Sequence, residues 1–314
     1  MVGRLLVGCA VAALTLAVSA LLARHLTHTS WPLQRARMGL VAVAGGLYFV
    51  SYILRALGWQ KLFPAPERPD RARCLAACGA AAASGAVLPF RLDYLVKIAT
   101  LRKLGGIRLT LEAIALSIVT LGLVDAVAFL PLSISATATS SAGFRAPLIL
   151  VVLFGAGACG VLGAGRRLNQ LPLVRRHARL HRAAERVAAR STSSKRSAIA
   201  AGCFLLACWT TRAFGSTVLL ASLGVAFSPT LALVVLCLAA AASLIPITSG
   251  GAIVNVSTTA GILLALGIGK EQAINFGLAS GLLLCGTALL AALVGVALSL
   301  RHSLRARMPA TAHA

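Results

Sequence analysis

Long apolar runs, each near the length of a bilayer crossing, alternate along this chain with short polar connectors. The runs at residues 5–23, 39–57, 109–132, 146–164, 198–220 and 273–300 predict full spans. About twenty residues of helix, rising about 1.5 Å each, cover a hydrocarbon core of about 30 Å. Two other runs, 74–88 and 230–245, are shorter and Ala-rich, and they stop at Pro89 and Pro246. Proline ends a helix because it lacks an N–H and its ring clashes with the preceding turn. A helix of about fifteen residues covers only about 22 Å, so each short run reads as half of a re-entrant hairpin or a tilted span. The pattern predicts an all-α polytopic membrane protein with about six full spans and two Pro-broken re-entrant hairpins, about eight hydrophobic segments in all.

The second break is the more polar. Thr248, Ser249, Gly250, Gly251, Asn255, Ser257, Thr258 and Thr259 follow Pro246, and helix is expected to resume over 261–266. Irregular backbone at membrane depth survives only where protein or a water-filled cavity surrounds it. This break is therefore expected inside the protein, unless it is simply a loop outside the membrane. After Pro89, an amphipathic segment runs to Leu104. The uncharged, Ser/Thr-rich stretch 133–143 reads as an external connector.

Pro89 and Pro246 lie 157 residues apart (246 − 89), and Arg55-Ala56-Leu57-Gly58 resembles Arg212-Ala213-Phe214-Gly215 at the same offset (212 − 55 = 157). This suggests two transmembrane repeats, 1–157 with its hairpin around Pro89 and 158–314 with its hairpin around Pro246. Charge then orients them. Residues 165–196 carry ten basic side chains against Glu185, which places this loop in the cytoplasm. Arg301, Arg305 and Arg307 place the C-terminus there too. With hairpins that re-enter, the repeat is inverted, an architecture in which paired broken helices meet near the midplane. The basic connector 24–37 fits this topology poorly. If the hairpins cross fully, the first half flips and the N-terminus moves outside.

Composition narrows the function. The chain is 59% hydrophobic, with mean hydropathy +0.90, and has no polar stretch long enough for a soluble catalytic domain. Its net charge of +23 sits in connectors, where it sets topology and meets anionic headgroups. No aromatic–basic platform suggests nucleic acid. The eight cysteines form no C-x-x-C pair and read as small buried hydrophobes. His177 and His181 have i,i+4 spacing, but the surrounding arginines repel a divalent cation. With no nucleophile–base set, nucleotide loop or metal cluster, neither enzymatic activity nor a cofactor is expected.

Arg212 lies within a span, where a cation is costly and is therefore paired or functional. Its structural alternatives are snorkelling or a pair with Asp125. Arg55 is nearer an interface, where snorkelling suffices. Arg91 and Lys97 follow Pro89 and can share a face that meets a lipid phosphate, or else serve as interfacial cations. Thr248, Ser249, Gly250 and Gly251 can present backbone N–H groups at a helix start, with Asn255 adding a hydrogen bond. Packing of helices through small residues is the alternative there.

These stretches together resemble the transmembrane, flippase-like region of lysylphosphatidylglycerol synthases and its stand-alone relatives. The resemblance rests on residues 55–63, on 84–106 with Leu88-Pro89-Phe90-Arg91, on Asp125, and on 244–267 with Ile245-Pro246 before Gly250-Gly251. It implies a multi-pass plasma-membrane protein, without the soluble aminoacyl-transfer domain of the full-length enzymes. Where the family carries Gly-Glu this chain has Asp93-Tyr94, and Lys97 stands where an Arg is common. Leu121-Gly122 replaces an acidic–basic pair, and Val256 replaces a Glu. The expected function is transport or flipping of an anionic lipid or lipid-linked headgroup, with Arg91, Lys97, Arg212, the backbone of residues 248–251 and Asn255 at the site. The alternative is a non-transporting scaffold. Expected partners are membrane lipids, with a membrane-bound enzyme or a second copy of the chain as further candidates.

Overall fold

The computed structural model describes residues 36–85, 92–104, 110–163, 195–243 and 251–307. The first apolar run, most of the basic loop, and Pro89, Arg91, Pro246, Thr248, Ser249 and Gly250 lie outside them. Described residues form nine α-helices: α1 (Met38–Lys61), α2 (Arg71–Gly85), α3 (Asp93–Leu104), α4 (Leu111–Thr139), α5 (Ala142–Gly163), α6 (Lys195–Ser222), α7 (Pro229–Ser243), α8 (Gly251–Ala265) and α9 (Lys270–Arg307). A short 3-10 helix, Ala65–Glu67, joins α1 to α2.

Helices α1, α4, α5, α6 and α9 contain stretches long and apolar enough to cross a membrane. Five of the six expected spans are therefore described helices, and the sixth is the run at 5–23. The short helices α2, α3, α7 and α8 hold 12 to 15 residues each. At about 1.5 Å per residue none reaches across a core of about 30 Å.

Local chemistry explains several boundaries. The Thr110 side chain accepts from the Ala113 N–H and caps α4, and Ser228 does the same for the Leu231 N–H before Pro229 opens α7. Gly224 and Gly267 have φ of +81° and +84° and close α6 and α8. There the N–H of Val225 returns to the Leu220 carbonyl, and that of Ile268 to the Leu263 carbonyl. This left-handed turn strongly favours glycine.

Two sequence expectations need correction. The Ser/Thr-rich stretch is helical through Thr139, because the hydroxyls of Ser135, Thr137 and Thr139 bond back to carbonyls one turn earlier. Helix also resumes at Gly251 rather than at 261, so the polar cluster through Thr259 belongs to α8.

The packing has a two-unit pattern. Helices α1–α4 and α6–α9 share one order of long, short, short and long. Exchanging the two quartets preserves which helices meet: α1 packs on α6, α2 on α9 as α7 on α4, and α4 on α6 as α9 on α1. Helix α5 covers α4 and α7. At the α1–α6 contact, a Cβ on Gly58 would lie 3.1 Å from Leu205, and one on Gly215 3.0 Å from the Tyr48 ring. These two glycines are themselves 157 residues apart (215 − 58). Helices α2 and α9 approach more closely still. A Cβ on Gly79 would lie 2.5 Å from the Ala288 carbonyl oxygen, and one on Gly295 2.4 Å from the Ala76 nitrogen. Close backbone approach through small residues is how helices pack where no hydrophobic effect separates them from lipid.

Candidate functional site

A cavity of about 360 Å³ opens where the two units meet. Gly85, the last residue of α2, lines one side, and Ala239 and Ala240 near the end of α7 line the other. The ends of two short helices, one from each unit, thus converge on one space. Helix α1 contributes Tyr48 and Tyr52, and α6 contributes Trp209, Arg212 and Ser216. Val256 and Thr259 of α8 and Phe276 to Cys285 of α9 complete the wall.

Among the described wall residues, Arg212 is the charged group. Its Nε–H donates to Ser51 Oγ at 3.0 Å, and its guanidinium carbon lies 5.0 Å from the Tyr52 ring centroid and 5.3 Å from that of Trp209. Among the described residues, no carboxylate pairs with it and its two terminal nitrogens have no hydrogen-bond partner. A guanidinium presents five N–H donors in a planar fork suited to a phosphate or carboxylate. Four of them have no acceptor among the described residues. The aromatic faces hold the cation without neutralising it.

Hydroxyls surround it. Tyr48 Oη and Ser216 Oγ share a hydrogen bond of 3.1 Å, which uses one of their two hydrogens. Tyr52 Oη donates to the Leu284 carbonyl at 3.2 Å. Ser51 Oγ donates to the Tyr48 carbonyl at 2.6 Å and so still accepts from Arg212.

Arg55 has a different fate from the one its position suggested. It does not snorkel: its Nη2 donates to Asp125 Oδ2 of α4 at 2.6 Å. Asp125 also accepts from Trp209 Nε1 at 2.7 Å. The pairing of Arg212 with Asp125 is thereby replaced by a pairing of Arg55 with Asp125. Trp209 links the two arginines, since the Arg55 guanidinium also lies 5.8 Å from its ring centroid. Phe129 backs that ring at 4.7 Å.

Lys97 is not a wall residue. It is buried, with Nζ 4.1 Å from the centroid of the Trp59 ring, and Trp59 Nε1 in turn donates to Ser117 Oγ. It therefore does not stand at an interface facing headgroups. Gly251 is the first residue of α8, with Asn255 one turn on. The expected roles of Arg91, Thr248, Ser249 and Gly250 fall outside the described residues.

Sequence reasoning missed Tyr48, Tyr52, Trp209 and Ser216, although a signal existed. Tyr52 and Trp209 are also 157 residues apart (209 − 52), so the repeated motif is an aromatic residue, then Arg three positions later, then Gly. That spacing puts the ring and the guanidinium on one helix face.

Comparison with curated proteins and with solved structures found no match. The family model for the lysylphosphatidylglycerol synthase TM region matches residues 5–292, which is nearly the whole chain. The described helices and this match together identify the chain as a member of that family, multi-pass membrane proteins of the lipid-metabolism, flippase-like type.

Proposed function

We propose that the protein moves an anionic lipid, or a lipid-linked anionic headgroup, between leaflets and that Arg212 holds the headgroup. One observation carries this reading: a guanidinium whose fork meets no acceptor among the described residues opens on a cavity between the ends of two short helices. A cation within a membrane costs about 2.5–3.5 kcal/mol on insertion scales unless it is paired or solvated. Water in the cavity meets that cost at rest, and a phosphate replaces the water when lipid binds.

Alternating access follows from relative rocking of the two quartets about the α1–α6 contact, with the re-entrant hairpins in inverted orientation. The protein sits in the plasma membrane, with residues 165–196 and the C-terminus in the cytoplasm. It works without a catalytic step of its own.

Leaflet exchange of a labelled anionic phospholipid in proteoliposomes tests this. The wild type accelerates exchange, and Arg212→Ala returns it to the protein-free rate. Wild-type exchange in Arg212→Ala would remove the site. A second reading, a non-transporting partner subunit, draws on the apolar Val256 in the wall. It predicts no exchange by the wild type and co-purification of a stoichiometric envelope enzyme.

A further inference from the structure

We infer, resting on the site reading above, that the cavity selects a headgroup with a single phosphate and neutral hydroxyls, such as a glycerol or sugar phosphate. It rejects an aminoacylated, cationic headgroup. The warrant is an accounting of charge among the described residues. The chain has seven carboxylates: Glu67, Asp70, Asp93, Glu112, Asp125, Glu185 and Glu271. None of the six described ones is among the wall residues.

Asp125, the mid-span acid, is occupied by Arg55 and Trp209. Asp93 is the described carboxylate beside the wall: its Oδ2 lies 4.0 Å from where a Cβ on Gly85 would be, and it is not itself a wall residue. Glu112 and Glu271 sit in the first turns of α4 and α9, and Glu67 and Asp70 lie between α1 and α2. Glu185 is within the basic loop. The stretches 86–91 and 244–250, which follow the two short helices, contain no acid.

Among the described residues, the wall thus offers one full positive charge and no negative one. Its carbonyls are partly committed as well, that of Leu284 to Tyr52 and that of Gly277 to Ser280. Val256 fills the remaining α8 side with hydrocarbon, packed so closely that a Cβ on Gly281 would lie 2.9 Å from its Cγ2. An ammonium entering here meets a like charge and, among the described wall residues, no carboxylate, an arrangement that discriminates strongly against a partner. A phosphate meets the Arg212 fork, and its hydroxylated substituent meets Tyr48 and Ser216.

Lysylphosphatidylglycerol and phosphatidylglycerol differ only by the lysyl group and are the direct probes. Native mass spectrometry of the full chain in vesicles with equal amounts of the two lipids reads the retained ratio. The wild type retains phosphatidylglycerol by at least about tenfold over the lysyl form. Arg212→Lys keeps that order with weaker retention, and Thr259→Glu, which adds a wall carboxylate, shifts the ratio toward the lysyl lipid. Equal retention of both lipids, still lost in Arg212→Ala, would overturn the selectivity and leave the site reading intact. Retention of phosphatidylglycerol that is the same in wild type and Arg212→Ala would overturn both.

Discussion

Arg55 on α1 reaches Asp125 at 2.6 Å, whereas Arg212, its counterpart 157 residues later on α6, faces no carboxylate among the described residues. Both follow an aromatic residue by three positions and precede a glycine by three. Both guanidiniums lie near the Trp209 ring. The difference comes from the facing long helix of each unit. Helix α4 carries Asp125 at mid-length, while α9 has no acid beyond its first turn. One acid converts a repeated arginine into a structural link, and its absence leaves the other arginine open to the cavity. Two helix quartets with the same packing pattern thus place similar arginines in different surroundings through one acid in a facing helix.

The largest effect that tests this contrast is expected at the ion pair. Asp125→Ala leaves Arg55 in the interior without its partner, which costs about 3–5 kcal/mol. Thermal unfolding in detergent reads it as a marked loss of melting temperature. The double variant Arg55→Leu with Asp125→Leu recovers most of that loss, because an apolar pair carries no desolvation penalty.

Next come the interfaces of the two units. Gly79→Ala drives a Cβ into α9 backbone and is expected to cost about 1–3 kcal/mol. Gly122→Ala on α4 meets nothing within 4 Å and is expected to be neutral or to stabilise by up to about 1 kcal/mol. Equal melting temperatures for these two variants would contradict the close approach of α2 and α9.

Trp209→Phe should have a comparable effect, about 1.5–3 kcal/mol, because it removes the N–H donated to Asp125 and keeps an aromatic face. Among the aromatic and charged residues, the smallest is Arg212→Ala. It loses one hydrogen bond, to Ser51, and should stay within about 1.5 kcal/mol of wild-type stability.

Much of this architecture was legible in the sequence. Five of the six long apolar runs, the two short ones and the offset between arginine motifs needed only length and spacing. The start of α8 was not legible, because Gly251 and the polar residues after it look like a break. Nor was the end of α4, where hydroxyls bond to the preceding turn and hide their polarity. The choice of partner for Asp125 was hidden for a different reason. Periodicity places Arg55 and Arg212 on helix faces but says nothing about which span faces α4. The cavity likewise needed three dimensions, since its wall draws on six helices.

The central claim is that two equivalent arginines differ in role. It is tested most directly by titrating phosphatidylglycerol onto three forms of the protein: wild type, Arg212→Ala, and the Arg55→Leu, Asp125→Leu double variant. The account predicts that the double variant binds as the wild type does, while Arg212→Ala, folded and of near-native melting temperature, loses binding by about tenfold or more. Unchanged affinity in Arg212→Ala, or loss of affinity in a folded double variant alone, would contradict it.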